Sequence, residues 1–223
     1  MFKQLLKFFY TYVVLLLVLL GLLVLSCMIP SRYLRDNIGI SIRVFETEGI
    51  YTKIGPQWRT NVTDNFGDLL MLNTAYSVSS DFPMISALTN IRHEESDNYL
   101  LQIENLKQVC NDGLTSKVEY SRYWHGYLVY LRPLLVVFSY AEIRVLLTAL
   151  LFFSLGVFLY NSWYKTSRTF FSSVVLGLLA VDVLFVGWSI HISGIFILSF
   201  VVATYMLRTF KQGENLYSIY FVS

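Results

Sequence analysis

Residues 8–29 carry no charge, and this run limits the chain to few fold classes. About twenty apolar residues in a helix cross a hydrocarbon core about 30 Å thick, whereas a signal peptide has an apolar region of about 7–15 residues. The run therefore predicts an uncleaved transmembrane helix. Lys3 and Lys7 precede it and place the N-terminus in the cytoplasm. Cys27 lies in a sequence resembling a lipoprotein cleavage site, and lipidation of this cysteine is an alternative.

The composition of the chain supports a membrane protein. Of 223 residues, 55% are hydrophobic and 14% are charged, whereas soluble domains contain about 25% charged residues. Twelve of the 15 acidic residues lie between Pro30 and Arg132, so charge is concentrated in one long segment. The formal net charge of +2 gives no excess of basic residues of the kind that binds nucleic acid, so nucleic acid is not an expected partner.

Three further apolar runs follow this charge-rich stretch, residues 30–132, which we call the polar segment. They cover residues 145–164, 170–190 and 195–207, and a tight turn is predicted at residues 191–194. Basic residues beside these runs fall where alternation of the spans assigns the cytoplasm. The predicted fold class is therefore mainly α: a polytopic α-helical membrane protein with four transmembrane helices and a mixed α/β extracytoplasmic domain between the first and second.

These patterns divide the chain into four segments. Residues 1–29 form the cytoplasmic N-terminus and transmembrane helix 1, and residues 30–132 form the extracytoplasmic domain. Residues 133–211 contain a re-entry segment and transmembrane helices 2–4. Residues 212–223 end in the apolar and aromatic stretch 216–223 (LYSIYFVS), which predicts the start of a further helix, so we expect a longer protein. The expected location is the cell membrane, as a multi-pass protein.

The polar segment contains patterns of regular structure. Residues 38–44 (IGISIRV) alternate in polarity, which predicts a strand. Residues 66–78 and 99–109 carry apolar side chains at helical spacing and predict two amphipathic helices. Such helices either lie along the membrane surface or pack in a small core, and the sequence leaves both alternatives open.

Two pairs of carboxylates in this segment are candidates for chemistry. Glu46 and Glu48 would point the same way on a strand, where they could share a divalent cation or supply a general base. A solvated strand edge is the alternative. Asp64 and Asp68 stand four positions apart, on one face of a helix that begins there, and helix capping by Asp64 or Asn65 is the alternative. The sequence assigns no cofactor or metal, and a divalent cation stays open.

Cationic side chains cluster where the chain is predicted to re-enter the membrane. His125, Arg132 and Arg144 are candidates for binding a lipid phosphate, since arginine pairs with phosphate oxygens in a bidentate way. In the alternative, Glu142 neutralises Arg144. Asp182 is the one acidic residue inside a predicted span, where an ionisable group is costly and indicates function; a hydrogen bond to a neighbouring helix is the alternative.

Two stretches, RYWHGYLVYLRPLL and TDNFGDLLMLN, resemble uncharacterised multi-pass membrane proteins of Gram-positive bacteria. The layout of residues 1–164 is similar to that of the GT-C superfamily, the polytopic glycosyltransferases that use polyprenyl-phosphate sugars. This resemblance implies a cytoplasmic N-terminus and a large first extracytoplasmic loop with an acidic base and interfacial helices. It also implies a hinge with arginine before the second span. The proline-proline signature of the family is absent: Arg132 stands before Pro133.

The resemblance implies transfer of a sugar from a lipid-phosphate carrier to a cell-envelope acceptor. Glu46 or Glu48 would act as base or hold a metal, and the three cationic side chains named above would hold the carrier phosphate. The expected partners are the lipid bilayer and a polyprenyl-phosphate-linked sugar. Two alternatives stay open: a non-enzymatic membrane-anchored sensor or assembly subunit, and a transporter or flippase piece with Asp182 in a relay.

Overall fold

The computed structural model describes residues 2–55, 62–95, 98–113, 115–119 and 125–209. These residues are mainly α-helical and form two compact units. Of the described residues, the first unit contains 2–17, 147–187 and 192–209, and the second contains those from 18 to 146 and 188–191. The further helix predicted for residues 212–223 lies outside the described residues.

The helices follow the chain in this order. α1 covers Phe2–Cys27, α2 Arg35–Glu48, α3 Asn65–Ser77, α4 Pro83–Leu88 and α5 Gln102–Asp112. α6 covers Leu128–Val137, α7 Tyr140–Lys165, α8 Arg168–Ala180 and α9 Ile190–Thr209. Short 3-10 helices cover Ser31–Tyr33, Tyr99–Leu101 and Val183–Trp188. Two strands, β1 (Ile91–His93) and β2 (Lys117–Glu119), pair in antiparallel register with Arg92 opposite Val118.

Among the described residues, three helices are long and apolar enough to cross a membrane: Lys3–Cys27 of α1, α7 and α9. These helices indicate a membrane protein. α8 is apolar but has only 13 residues, a length of about 20 Å against a hydrocarbon core of about 30 Å. The tight turn predicted at residues 191–194 is wrong, because these residues lie in α9. Ser193 stays in the helix and donates its hydroxyl to the Val186 carbonyl at 3.1 Å.

α3 is the central helix of the second unit. Its buried residues, among them Leu69, Leu72 and Ala75, lie on all sides of the helix. It packs against α2, α5, α6 and β1, which together enclose it. The helices predicted from apolar spacing at residues 66–78 and 99–109 are confirmed as α3 and α5.

The strand predicted for residues 38–44 is wrong, because this segment belongs to α2. Ile38, Ile42 and Phe45 are buried at the spacing of one helical face. Ile40, which an alternating strand would share with Ile38 and Ile42, is 42% exposed. The short window fits both periods, and packing of α2 against α5 and α6 selects the helix.

Two separate helices, α6 and α7, form the stretch where the sequence predicts re-entry. α6 contains Pro133 and ends at Val137, and α7 begins at Tyr140. Glu142 accepts hydrogen bonds from the backbone N–H and the hydroxyl of Ser139, both at 2.7 Å. These bonds satisfy a donor at the helix start, so Glu142 helps to begin α7.

The first unit has an apolar core built from α7, α8, α9 and the 3-10 helix after α8. Its buried members are Leu151, Leu155, Phe158, Val183, Val186 and Phe200. Asp182 follows α8 with φ of 50°, so the chain turns there instead of continuing as a helix. Thr148 donates to the Gly187 carbonyl at 2.9 Å, and a Cβ at Gly187 would lie 2.6 Å from the threonine Oγ1. Only glycine fits there without displacing Thr148.

Candidate functional site

Asp68 is a fully buried carboxylate in the second unit. Its Oδ2 accepts from the Tyr140 hydroxyl at 2.8 Å and the Ile190 backbone N–H at 3.0 Å. Its Oδ1 accepts from the His191 backbone N–H at 3.1 Å and lies 2.8 Å from the His191 Nδ1. The four contacts satisfy the carboxylate in place of water.

His191 lies between two carboxylates. Its Nδ1 faces Asp68, and its Nε2 is 3.4 Å from the Asp64 Oδ2. The side-chain exposure is 0% for Asp68, 27% for His191 and 42% for Asp64, so this row of groups runs from the interior to solvent. The buried Asp68 favours a proton on Nδ1, which leaves Nε2 as the basic nitrogen of the neutral ring.

The sequence TDNFGD builds one side of this arrangement. Asp64 precedes α3 and accepts from the Gly67 backbone N–H at 3.3 Å, as an N-cap. Asp68 follows one turn later. A Cβ at Gly67 would lie 2.9 Å from the His191 Cε1, so the absence of a side chain lets the imidazole lie against the helix.

The start of α9 builds the other side. The backbone N–H groups of Ile190 and His191 belong to its first turn, where α-helices lack internal acceptors. Asp68 accepts from both, so a carboxylate on α3 caps α9. Capping alone explains the two backbone contacts, whereas the contact to the imidazole adds a potential proton-transfer pair.

A second ion pair adjoins this site. Arg144 donates to both oxygens of Glu48, at 2.8 and 2.5 Å. Asn65 donates to Glu48 at 3.2 Å, and its Oδ1 lies 3.2 Å from the Tyr140 hydroxyl. The hydrogen bond from Arg144 holds the pKa of Glu48 below its usual range. We call the connected group the polar cluster; it consists of Glu48, Asp64, Asn65, Asp68, Tyr140, Arg144 and His191.

The structure brings together four of the sequence-predicted candidates, Glu48, Arg144, Asp64 and Asp68, and separates Glu46 from them. Residues two apart on a helix differ by about 200° in direction. Glu46 is therefore on another face of α2, where its carboxylate lies 2.7 Å from the Lys107 ammonium. Arg144 pairs with Glu48 and not with Glu142, contrary to the alternative in which Glu142 neutralises it.

Arg132 is fully buried. Its Nε donates to the Ser26 carbonyl at 3.0 Å, and its two terminal nitrogens donate to the Ala75 and Ile29 carbonyls. The guanidinium thus binds carbonyls at the end of α1 and within the last turns of α3. This arrangement gives Arg132 a structural role and leaves its fork no exposed face for a phosphate.

The remaining predicted residues lie apart from these contacts. His125 is buried just before α6. Asp182 is in the first unit, at the turn between α8 and the following 3-10 helix. Among the described residues, no group of three or more His, Cys, Asp or Glu side chains is arranged to hold a metal ion.

Sequence reasoning identified Asp68 as a candidate but missed His191 and Tyr140. The six-residue string TDNFGD gives a local signal for the first half of the site. Its partners lie 72 and 123 positions further along the chain, and no spacing rule connects residues so far apart.

The arrangement has the chemical parts of a general base. An imidazole oriented by a buried carboxylate takes a proton at its other nitrogen. Here Nε2 of His191 is at the exposed side of the pair, beside Asp64.

Comparison of the chain with protein-family models, with curated proteins and with solved structures finds no match.

Proposed function

We propose that the chain transfers a sugar from a lipid-phosphate carrier to a cell-envelope acceptor, with the polar cluster as its acid–base site. The observation that carries this proposal is the Asp68–His191 pair, a buried carboxylate orienting an imidazole. The first turns of α7 and α9, two helices of membrane-spanning length, supply Tyr140 and His191. Polar groups at the ends of such helices suit a substrate with an apolar chain and a polar head.

In the proposed step, Nε2 of His191 takes the proton of an acceptor hydroxyl. The acceptor oxygen bonds to the anomeric carbon of the sugar, and the bond from that carbon to the phosphate oxygen breaks. The electron pair leaves with the carrier phosphate. Asp68 holds the imidazole in orientation and stabilises its protonated form. Asp64, the exposed neighbour, is suited to accept a hydrogen bond from the incoming acceptor.

Arg144 is the candidate for holding the carrier phosphate. Its bidentate pair with Glu48 fixes the guanidinium at the edge of the cluster. Glu48 is thereby a positioning residue in this proposal. Arg132 is left out of phosphate binding because it is fully buried, whereas the side chain of Arg144 is 14% exposed.

The proposed topology has four crossings: α1, α7, α8 with the following 3-10 helix, and α9. α8 is about 20 Å long, and the six-residue 3-10 helix after the turn at Asp182 adds up to about 12 Å. The N-terminus is cytoplasmic and residues 30–132 are extracytoplasmic. A reporter that works only in the cytoplasm should be active when fused after Lys165 and inactive after Asp112; the reverse pattern would overturn this orientation.

The decisive test compares His191→Gln, Glu48→Gln and Glu46→Gln in a strain whose envelope glycan depends on this protein. We expect transfer to be lost in the first, strongly reduced in the second and retained in the third. Glu46→Gln is the matched control, since it removes the same charge from the same helix outside the cluster. Normal glycan in the His191→Gln strain, with equal protein in the membrane, would refute the proposal.

Two other functions each have one supporting observation. The internal contacts of the polar cluster also suit a purely structural centre, as in a membrane-anchored sensor or assembly subunit. A stable partner at fixed stoichiometry, with no lipid-phosphate binding, would favour that function.

The interrupted segment at Asp182 is typical of transporter helices. Transport insensitive to Asp182→Asn would count against a transporter or flippase piece.

A further inference from the structure

The segment around α4 presents an apolar surface to its surroundings. Phe82, Met84, Ile85 and Leu88 are each half or more exposed, and Ala87 alone among the apolar residues from 82 to 88 is buried. The helix Pro83–Leu88 has no charged residue. A patch of this kind on a folded segment marks a contact with a membrane or another apolar surface. We call these four exposed residues the α4 surface.

Hydrogen bonds hold this segment beside the end of α1. The Ser31 hydroxyl, four positions after the last residue of α1, donates to the Val78 carbonyl at 3.0 Å. Arg132 joins the Ile29 carbonyl to the Ala75 carbonyl. The end of α3, from which the chain continues into α4, is therefore fixed at the place where a membrane-spanning helix ends.

Two polar side chains of the segment 79–89, those of Ser86 and Thr89, are bonded within it. The Ser86 hydroxyl donates to the Ser79 carbonyl at 3.0 Å and lies 3.2 Å from the Ser79 backbone nitrogen. Thr89 donates to the Ile85 carbonyl at 2.8 Å. Pro83, at the start of the helix, has no N–H to satisfy. These features reduce the cost of moving the segment out of water.

The neighbouring surface at the end of α1 is apolar as well. Leu25, Met28 and Tyr33 are exposed by more than half. From the segment's attachment to this membrane end, its internal hydrogen bonds and the lack of charge in Pro83–Leu88, which follows the exposed Asp81, we propose that the α4 surface inserts into the lipid interface. Its occupant is the bilayer itself, and α4 anchors the polar segment to the membrane beside α1. The anchor is independent of the proposed sugar transfer.

Nitroxide labels in the full chain, reconstituted in lipid nanodiscs, test this contact. Labels are placed at Met84→Cys and Leu88→Cys, with Asp112→Cys on the exposed end of α5 as control. The parent chain gives the background from Cys27 and Cys110, which are both buried. Burial also raises the pKa of Cys110 to about 11, which slows its labelling. Collision rates with oxygen and with a water-soluble nickel chelate are then measured.

We expect the oxygen-to-nickel collision ratio to be several-fold higher at Met84 and Leu88 than at Asp112, because oxygen concentrates in lipid and the chelate stays in water. High nickel accessibility at both α4 positions would show that the surface faces water and would overturn the proposal. Low accessibility to both reagents would show protein contact and would also overturn it. Two labelled positions protect the test against misfolding of one variant.

Discussion

The Nδ1 of His191 lies 2.8 Å from the Oδ1 of Asp68, although 123 positions separate the two residues. The pair links the first turn of α9 to the first turns of α3. On the other side of the ring, the His191 Nε2 lies 3.4 Å from the Oδ2 of the exposed Asp64. Substitutions can therefore test separately the packing of the imidazole, the contribution of the buried charged groups and the protonation of Glu48.

Gly67→Ala tests whether the imidazole of His191 needs its close contact with α3 at Gly67. The new Cβ would lie 2.9 Å from the His191 Cε1, so the ring must move. We expect a loss of about 1–3 kcal/mol in the free energy of unfolding, together with reduced transfer. Gly39→Ala is the control: its Cβ meets open space on α2 and should stabilise the chain by about 0.5–1 kcal/mol. Equal stability of the two variants would contradict the tight contact at Gly67.

Asp68→Asn tests the buried carboxylate. An amide keeps the size of the side chain but turns an NH2 group toward donors that the carboxylate satisfies. We expect the free energy of unfolding in detergent to fall by about 3 kcal/mol. Asp112→Asn, at an exposed position, should change it by no more than about 0.5 kcal/mol. A similarly small change at Asp68 would mean that these contacts contribute little.

Arg132→Lys tests the contacts at the end of α1. An ammonium cannot reproduce the planar fork that binds the Ser26, Ile29 and Ala75 carbonyls. The expected loss is about 3 kcal/mol, measured by thermal or denaturant unfolding. Arg43→Lys, on the exposed side of α2, keeps the charge and should cost less than about 0.5 kcal/mol. If both variants unfold alike, Arg132 has no special structural role.

The Glu48–Arg144 pair predicts a dependence of stability on pH. The pKa of Glu48 is lower in the folded chain than its usual value of 4.5, because Arg144 binds the ionised carboxylate. The unfolded chain therefore takes up the proton first as the pH falls. The stabilisation is fully present above the usual value and is lost as the pH falls through the lower folded value.

Unfolding temperatures of the wild-type and Glu48→Gln chains, measured from neutral to acidic pH, check this prediction. The difference between the two chains should be largest at neutral pH and should shrink below about pH 4. Glu46→Gln controls for removing one acidic residue from α2. A difference that stays constant across the range would show that ionisation of Glu48 does not stabilise the fold.

The sequence predicted those helices whose pattern of apolar residues can be recognised within the helix itself. The apolar spacing of α3 and α5 marked both helices, and an uncharged run marked α1. The pattern IGISIRV failed because seven residues cannot separate a helical face from an alternating strand, and only burial of Ile38, Ile42 and Phe45 decides. Residues 191–194 failed for a similar reason: serine and glycine suggested a turn, but they continue the helix.

The candidate site was less accessible to prediction. Asp64 and Asp68 were recognisable from their spacing, and the capping role considered for Asp64 is present in the structure. The pairing of Glu48 with Arg144 joins residues 96 positions apart, and it depends on how α2 and α7 pack. Arg132 had a functional interpretation because sequence alone cannot reveal that three carbonyls surround it.

The contacts of Asp68 also set an order for biosynthesis. Its acceptor oxygens are satisfied by Tyr140, Ile190 and His191, which are all translated long after Asp68. Until the ribosome has made the first turn of α9, the carboxylate has only water as a substitute for these donors. The polar segment therefore cannot reach its final packing during its own synthesis, and α9 completes it when its first turn arrives.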